Sequence, residues 1–465
     1  MLQNGRNEEW REPSKPSGGD TPLADSRPTF APPLQIGGGF GIGLSMFPKR
    51  RVQAIDPATG EPKRDTRAAE NTSRVLAAAS RFLTEQRGVI PVDTPVVILM
   101  KHRHIMDIPH IGAALWKDTH KTAAFIMRSF GERTDRILQA IGGIIVKRPG
   151  DFLKDLIKPN PLVESELVDP EKAKERAEKM FALLKEVGTE RGYLSDVDSP
   201  KSLAKAIKKL NMKQCAFLVA AAVRTDPELR TAYEDSGRSG LNNNLVTRYH
   251  AGESIVLYPE GTRSKDRLLN IVIDGEHPCT AILNSVKNGS PHAGNNREAC
   301  FLPVGIQYPG REAGGFLSRL RIGAKLNIGA PFFAENPSDI QEHLTRRLSE
   351  LSGLSTTGPS VYARPAAEAA LSNENLGASA VSVLKRNEVL EALEYFRDNP
   401  EQCTRATFEQ IDLALSHPHW SVPWMALQVR PKGMHFNPNM VSYHSSQSNH
   451  PALADMAKNY RAADS

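Results

Sequence analysis

The chain is poor in aromatic residues, at 6%, and has only four cysteines among 465 residues. It also shows no RNP-type motif, finger spacing or basic region. Those lacks turn the reading away from nucleic acid, which needs stacking platforms or a concentrated basic element. Cys215, Cys279, Cys300 and Cys403 form no C-x-x-C pair, so neither a zinc knuckle nor a redox dithiol is expected. Reduced thiols of this kind suit a cytosolic chain. Long apolar runs are missing too. The best, Ala216 to Val223, is less than half of the roughly 18 residues that suggest a spanning helix, and it reads as a buried helical segment. Residues 1–30 are polar and lack the apolar h-region of a secretory signal. The expected location is therefore cytoplasmic, and a lipid substrate would be met from the membrane surface.

What is present describes a globular α/β chain. Hydrophobic content is 40% and charged content 24%, enough for a sizeable core. A net charge of +6 favours anionic partners without choosing among them. Residues 1–65, with Pro32-Pro33 and Gly37-Gly38-Gly39, predict a disordered segment. Helical spacing runs from Ala68 to Gln86. Val96 to Met100 is a continuous apolar run of buried-strand type, and Pro109 to Trp116 reads as the next helix. Lys121 to Phe130 suggests a strand, Thr134 to Ile141 a helix, and Ile144 to Val146 a short strand.

Residues 151–235 read as an inserted helical block. Asp169-Pro170 starts a helix that should stop before Gly188, Ser199-Pro200 starts another, and Thr225 with Glu228 forms a capping box for a third. Strands follow at Ser254 to Tyr258 and Phe301 to Ile306, then an amphipathic helix from Ser338 to Leu351. The fold class is thus α/β: a mixed or mostly parallel sheet flanked by helices, with partly disordered termini. The main domain spans 66–352, a Ser/Ala/Gly-rich linker 353–380, and a helical region 381–465 whose tail after Pro431 is predicted to be mobile.

Two runs carry chemistry. His102 and Asp107 lie five residues apart directly after the apolar strand. A neutral histidine is the usual general base near pH 7, and a carboxylate on its other nitrogen fixes the tautomer. The second run is Tyr258-Pro259-Glu260-Gly261-Thr262-Arg263-Ser264. Gly261 permits an unusual backbone angle and close ligand approach, while Arg263 can grip a phosphate in a bidentate fork. Both runs follow strands, and ligands of open α/β sheets bind at the carboxyl ends of strands. The pair suggests an enzyme that deprotonates a hydroxyl on a phosphate-bearing substrate.

Four blocks, in order, resemble the glycerolipid acyltransferase family, which includes the lysophosphatidate and glycerol-3-phosphate acyltransferases. His102 and Asp107 match its Asn-His-x-x-x-x-Asp block, with Lys101 in place of Asn. Gly142 to Arg148 matches its Gly-rich strand ending in Arg. Pro259 to Ser264 matches its Phe-Pro-Glu-Gly-Thr-Arg-Ser block, with Tyr258 in place of Phe, and Leu302-Pro303-Val304 matches its fourth, apolar block. The resemblance covers roughly residues 68–352, and the insertion at 151–235 separates the second and third blocks unusually far.

The resemblance implies direct acyl transfer from acyl-CoA or acyl carrier protein to a phosphorylated glycerol acceptor, without an acyl-enzyme, a metal or a cofactor. 1-Acylglycerol 3-phosphate is the first acceptor and glycerol 3-phosphate the second. It implies that His102 takes the hydroxyl proton while Asp107 orients it. Arg148 and Arg263 would hold the phosphate, Glu260 would orient the arginine or the acceptor, backbone N–H groups near Gly261 would stabilise the oxyanion, and Gly261 and Thr262 would both belong to the substrate-binding set. Pro303 would line the acyl or acceptor channel.

Peripheral membrane association would come from Lys201, Lys205, Lys208, Lys209 and Lys213, which accompany Leu203, Ile207 and Leu210 at helical spacing. A basic amphipathic helix of this kind can lie on an anionic membrane, and the plainer alternative is a solvated surface helix. The segment Gly39 to Leu44 offers a second lipid contact or a simple linker. Two rival functions are open. His102, His104, Asp107 and His110 could serve a metal-dependent hydrolase, or the fold could bind lipid without catalysis.

Overall fold

The computed structural model describes residues 84–102, 107–128, 143–163, 166, 169–236, 238–260, 271–289, 298–308, 324–353, 364–372, 375–376 and 382–464. The segment 1–65, the helix at Thr134 to Ile141 and the Gly261-Thr262-Arg263 turn lie outside these residues. Strands β1 (Thr84–Arg87), β2 (Val97–Met100), β3 (Ala124–Arg128), β4 (Gly143–Val146), β5 (Ile255–Leu257), β6 (Phe301–Gln307) and β7 (Ala324–Ile328) form one sheet. Its order is β1-β7-β6-β2-β5-β3-β4. Every pairing is parallel except β6 with β7. The fold is therefore α/β with a mostly parallel sheet.

β2 explains itself. It is buried throughout, so its sequence is apolar at every position rather than alternating. Alternate residues serve two different cores. Val97 and Leu99 join one with Phe301, Ile255 and Leu257, and Ile98 and Met100 join the other with Leu302, Val304 and Val256. That parity carries into the residues beyond the strand ends.

Helix α1 (Asp107–Thr119) follows β2. The insertion is a bundle of α2 (Pro149–Leu156), α3 (Pro170–Glu190), α4 (Pro200–Ile207), α5 (Met212–Thr225) and α6 (Glu228–Ser236), and α7 (Arg238–His250) returns the chain to β5. The bundle has its own core, with Phe152, Leu156, Met180, Leu184 and Leu218 buried together. Arg176 is sealed inside it, held by Glu166 at 2.6 Å and by the carbonyls of Lys158 and Asn160, which closes backbone acceptors beyond the end of α2. The starts of α3 and α4 are capped by Asp169 and Ser199, as their sequences predict. Two details differ. α3 runs through Gly188 to Glu190, and the glycine there leaves room for Leu194, which packs where a side chain at 188 would sit. Thr225 ends α5, its hydroxyl donating to the carbonyl of Ala221, and Asp226 accepts from the Glu228 N–H in its place.

Helices α8 (Pro278–Lys287) and α9 (Pro337–Leu351) cover one face of the sheet. The other face is covered by the C-terminal region: α10 (Arg364–Ala370), α11 (Val383–Asp398), α12 (Arg405–Leu413), α13 (Ser421–Ala426), α14 (Pro438–Gln447) and α15 (Pro451–Asp464). Three expectations are corrected here. Residues 84–87 form a strand rather than the end of a helix, because an edge strand beside β7 needs backbone pairing but little apolar surface. The linker contains α10, which buries Ala367 and Ala370. The tail after Pro431 forms α14 and α15 and packs into the core through Val441, Ala452, Leu453, Met456, Ala457 and Tyr460. Its last five of these recur at helical spacing, which the polar composition obscured. Among the described residues no helix is long and apolar enough to cross a membrane.

Candidate active site

His102 lies two residues past β2, on the side continuing from Ile98 and Met100. The first turn of α1 brings Asp107 back towards it. His102 Nδ1 lies 3.0 Å from Asp107 Oδ2. Asp107 is fully buried, and its position at the helix N-terminus suits a carboxylate. With the Nδ1 proton donated to Asp107, Nε2 carries the lone pair. The His102 side chain is 17% exposed.

Two further residues converge there by register and parity. Met100 pairs with Val304 on β6, and Leu99 pairs with Leu257 on β5. Continuing along those strands, Tyr308 and Tyr258 fall on the same face as His102, and both pack against that core. Tyr308 donates its hydroxyl to Asp107 Oδ1 at 2.5 Å. The carboxylate is thus gripped on both oxygens. The Tyr258 ring lies 4.2 Å from the His102 ring, tilted by 31°. Its hydroxyl oxygen is buried and has no hydrogen-bond partner among the described residues. Burial, and secondarily the charge of Asp107, push the Tyr258 hydroxyl well above its usual range, so it is a neutral donor. Neither tyrosine's role at Asp107 and His102 was visible in sequence. Tyr258 stood inside a motif, but the meaning of its hydroxyl depends on sheet order.

Glu260 is placed differently. Its Oε1 lies 3.2 Å from Lys101 Nζ, with side-chain exposures of 5% and 1%. This buried ion pair ties the end of β2 to the turn after β5. Lys101, which stands where the resembling family has Asn, therefore binds the acid of the other motif. Removing one partner of such a pair leaves a buried charge uncompensated.

Arg148 is exposed at the N-cap of α2, beyond the edge strand β4. The β5 and β3 strands separate β4 from β2, an interval of about 14 Å. Pro303 sits inside β6, buried, with its carbonyl accepting from Gly329 N at 2.9 Å and its ring against that glycine. It belongs to the sheet's packed interior. His104 lies outside the described residues, and His110 is buried on α1 with its ring 6.0 Å from that of Tyr308. Among the described residues no three His, Cys, Asp or Glu side chains are grouped to hold a metal ion. The four cysteines are free and buried, and burial pushes all four thiols up.

No protein-family model matches the chain, and no curated protein matches it. Among solved structures, the chain is similar to the 1-acyl-sn-glycerophosphate (LPA) acyltransferase PlsC from Thermotoga maritima. The identity is 12% and the TM-score 0.30, over 62% of this chain and 82% of that one. Likeness at that level assigns no residue and no activity.

Proposed function

We propose that the chain is an O-acyltransferase of phospholipid synthesis. It moves a fatty acyl group from acyl-CoA or acyl carrier protein to the hydroxyl of a glycerophosphate-type acceptor, with 1-acylglycerol 3-phosphate preferred over glycerol 3-phosphate. The observation that supports it most is a histidine with Nδ1 at 3.0 Å from a buried carboxylate, at the carboxyl end of a central parallel strand. That arrangement leaves Nε2 as a base for an incoming hydroxyl.

The step balances simply. His102 Nε2 takes the acceptor hydroxyl proton as the oxygen attacks the thioester carbonyl. The C–O bond forms, the C–S bond breaks, and the proton on His102 passes to the departing thiolate. Asp107, fixed by Tyr308, stabilises the imidazolium between these events. Arg263 binds the acceptor phosphate, and Gly261 and Thr262 offer backbone donors to the oxyanion. Glu260, anchored by Lys101, fixes the base of that turn. Arg148 meets the outer part of the acceptor at the sheet edge, and Pro303 shapes the strand that ends in Tyr308.

The test is acyl transfer by the purified full chain from labelled acyl-CoA or acyl carrier protein. Lysophosphatidate, glycerol 3-phosphate and other lysolipids are offered separately. Product from a glycerophosphate acceptor is expected. Failure with every donor and acceptor would refute the reading.

A further inference from the structure

The charge of this molecule is unevenly distributed. Residues 199–225 hold five lysines, one arginine and no acid, a net of +6, which equals the net charge of the whole chain. The remaining residues sum to zero. On α4, Lys201, Lys205 and Lys208 fall within about 60° of one another around a helix turning 100° per residue. Leu203 and Ile207 point the other way and are buried in the bundle core. The apolar side of this helix is therefore used internally, and the helix does not insert into lipid by that face. What remains outside is the basic face. Lys209 and Lys213 follow in the turn and at the start of α5, and all five lysines are exposed.

None of the five has an ion-pair partner among the described residues. Elsewhere in the same bundle the pattern differs: Lys154 pairs with Asp151 at 2.9 Å, Lys158 with Asp155 at 2.7 Å and Lys147 with Asp155 at 2.9 Å. Beside the lysines, α5 exposes Met212, at 55%, and then Ala216 and Ala220 at four-residue intervals. The back of this unit rests on the start of α2. A side chain at Gly150 would meet Cys215 Sγ at 3.3 Å and Ile207 Cγ2 at 3.7 Å. Gly150 is two residues past Arg148, at the carboxyl end of β4. The basic unit is thus anchored at the end of the sheet that carries His102 and Tyr258.

We infer that the face formed by Lys201, Lys205, Lys208, Lys209 and Lys213 docks the protein electrostatically on an anionic lipid bilayer. Charge complementarity commits the surface to that occupant. Protein interfaces favour Arg, Tyr and Trp and disfavour Lys, and residues 201–213 contain none of the favoured three. Unpaired lysines around a small apolar seam match a surface of phosphate head groups. The inference deepens the acyltransferase reading, since it would bring a membrane-borne phosphorylated acceptor to the correct end of the sheet. Binding itself does not require turnover.

The test is co-sedimentation of the full chain with two kinds of vesicle, phosphatidylcholine alone and phosphatidylcholine containing about a third phosphatidylglycerol. Wild type should bind only the anionic vesicles and be released by salt. Changing Lys201, Lys205, Lys208 and Lys209 together to Gln should weaken binding by at least about a hundredfold, at roughly fivefold per lysine. The matching Lys→Arg variant should bind like wild type. Melting curves for both variants confirm that the bundle is folded. Unchanged binding by the Gln variant, equal binding to both vesicles, or no binding by wild type would each overturn the inference. So would lysine-dependent capture of acyl carrier protein without vesicle binding. Lysine-dependent vesicle binding by a protein that transfers no acyl group would uphold the docking surface and defeat the enzymatic reading instead.

Discussion

Lys101 and His102 are neighbours in the chain and opposites in environment. Lys101 is 1% exposed and locked to Glu260, whereas His102 is 17% exposed, and its Nδ1 is tied to Asp107. Lys101 reaches across to the turn after β5, whereas His102 meets the carboxylate at the start of α1. The comparison separates structure from chemistry within two residues. A closed, buried ion pair ties the end of β2 to the turn after β5, and the imidazole beside it is partly open and bound through Nδ1 to a buried carboxylate.

The sharpest way to break the closed side is Lys101→Met. It takes away the ammonium that lies 3.2 Å from the buried Glu260 carboxylate and should cost up to about 3–5 kcal/mol. Denaturant unfolding measures it. Adding Glu260→Leu should recover most of that loss, because two apolar groups of similar volume replace the pair. A double variant no more stable than the single one would contradict the assignment.

On the open side, Tyr308→Phe removes the second hydrogen bond to the Asp107 carboxylate. Hydrogen bonds to charged groups contribute about 1.5–3 kcal/mol. The variant should stay folded, lose about tenfold or more in kcat, and show a shifted pH–rate profile. An unchanged profile would remove Tyr308 from the site. Tyr258→Phe should act in the other direction on stability. It deletes a buried hydroxyl without a partner among the described residues, so the fold should gain up to about 1 kcal/mol. If that hydroxyl meets the acceptor, the apparent KM should rise at the same time. A fall in melting temperature would show that the hydroxyl is satisfied within the protein.

A change of pH tests whether acid acts on the site or on the frame. Burial pushes His417 and His450 down to about 4 from 6.5, and burial also lowers His343 and His419. These groups are neutral when folded and take up protons when unfolded. Their stabilising contribution is complete above about pH 6.5 and is lost as pH falls towards 4. Asp118, pushed by burial up to about 6, works in the opposite sense over part of that range. The histidines outnumber it, so the melting temperature should fall between pH 6.5 and 4. Because three of these histidines, His417, His419 and His450, are in the C-terminal region, hydrogen exchange should rise there first.

Much of this was legible in sequence. The apolar runs at 96–100, 144–146, 254–258 and 301–306 all mark strands, since buried parallel strands need no polar face. Asp169-Pro170 and Ser199-Pro200 mark helix starts because the cap chemistry is local. Strand β1 was hidden because Thr-Glu-Gln-Arg has no apolar period, and its pairing with β7 joins residues far apart in the chain. The site divides the same way. His102 and Asp107 are five residues apart and readable as a pair. Tyr308 joins them only because β6 lies beside β2, and no local pattern encodes that adjacency. The same holds for Lys101 with Glu260, whose partnership depends on β5 lying on the other side.

The central claim is that His102 is the base for acyl transfer, and it is tested most directly by the turnover and melting curve of His102→Ala beside wild type. Wild type should transfer label from acyl-CoA to lysophosphatidate. The variant should lose about 10²–10⁴-fold in kcat with an unchanged melting transition. A folded His102→Ala protein with near-normal turnover would contradict the account.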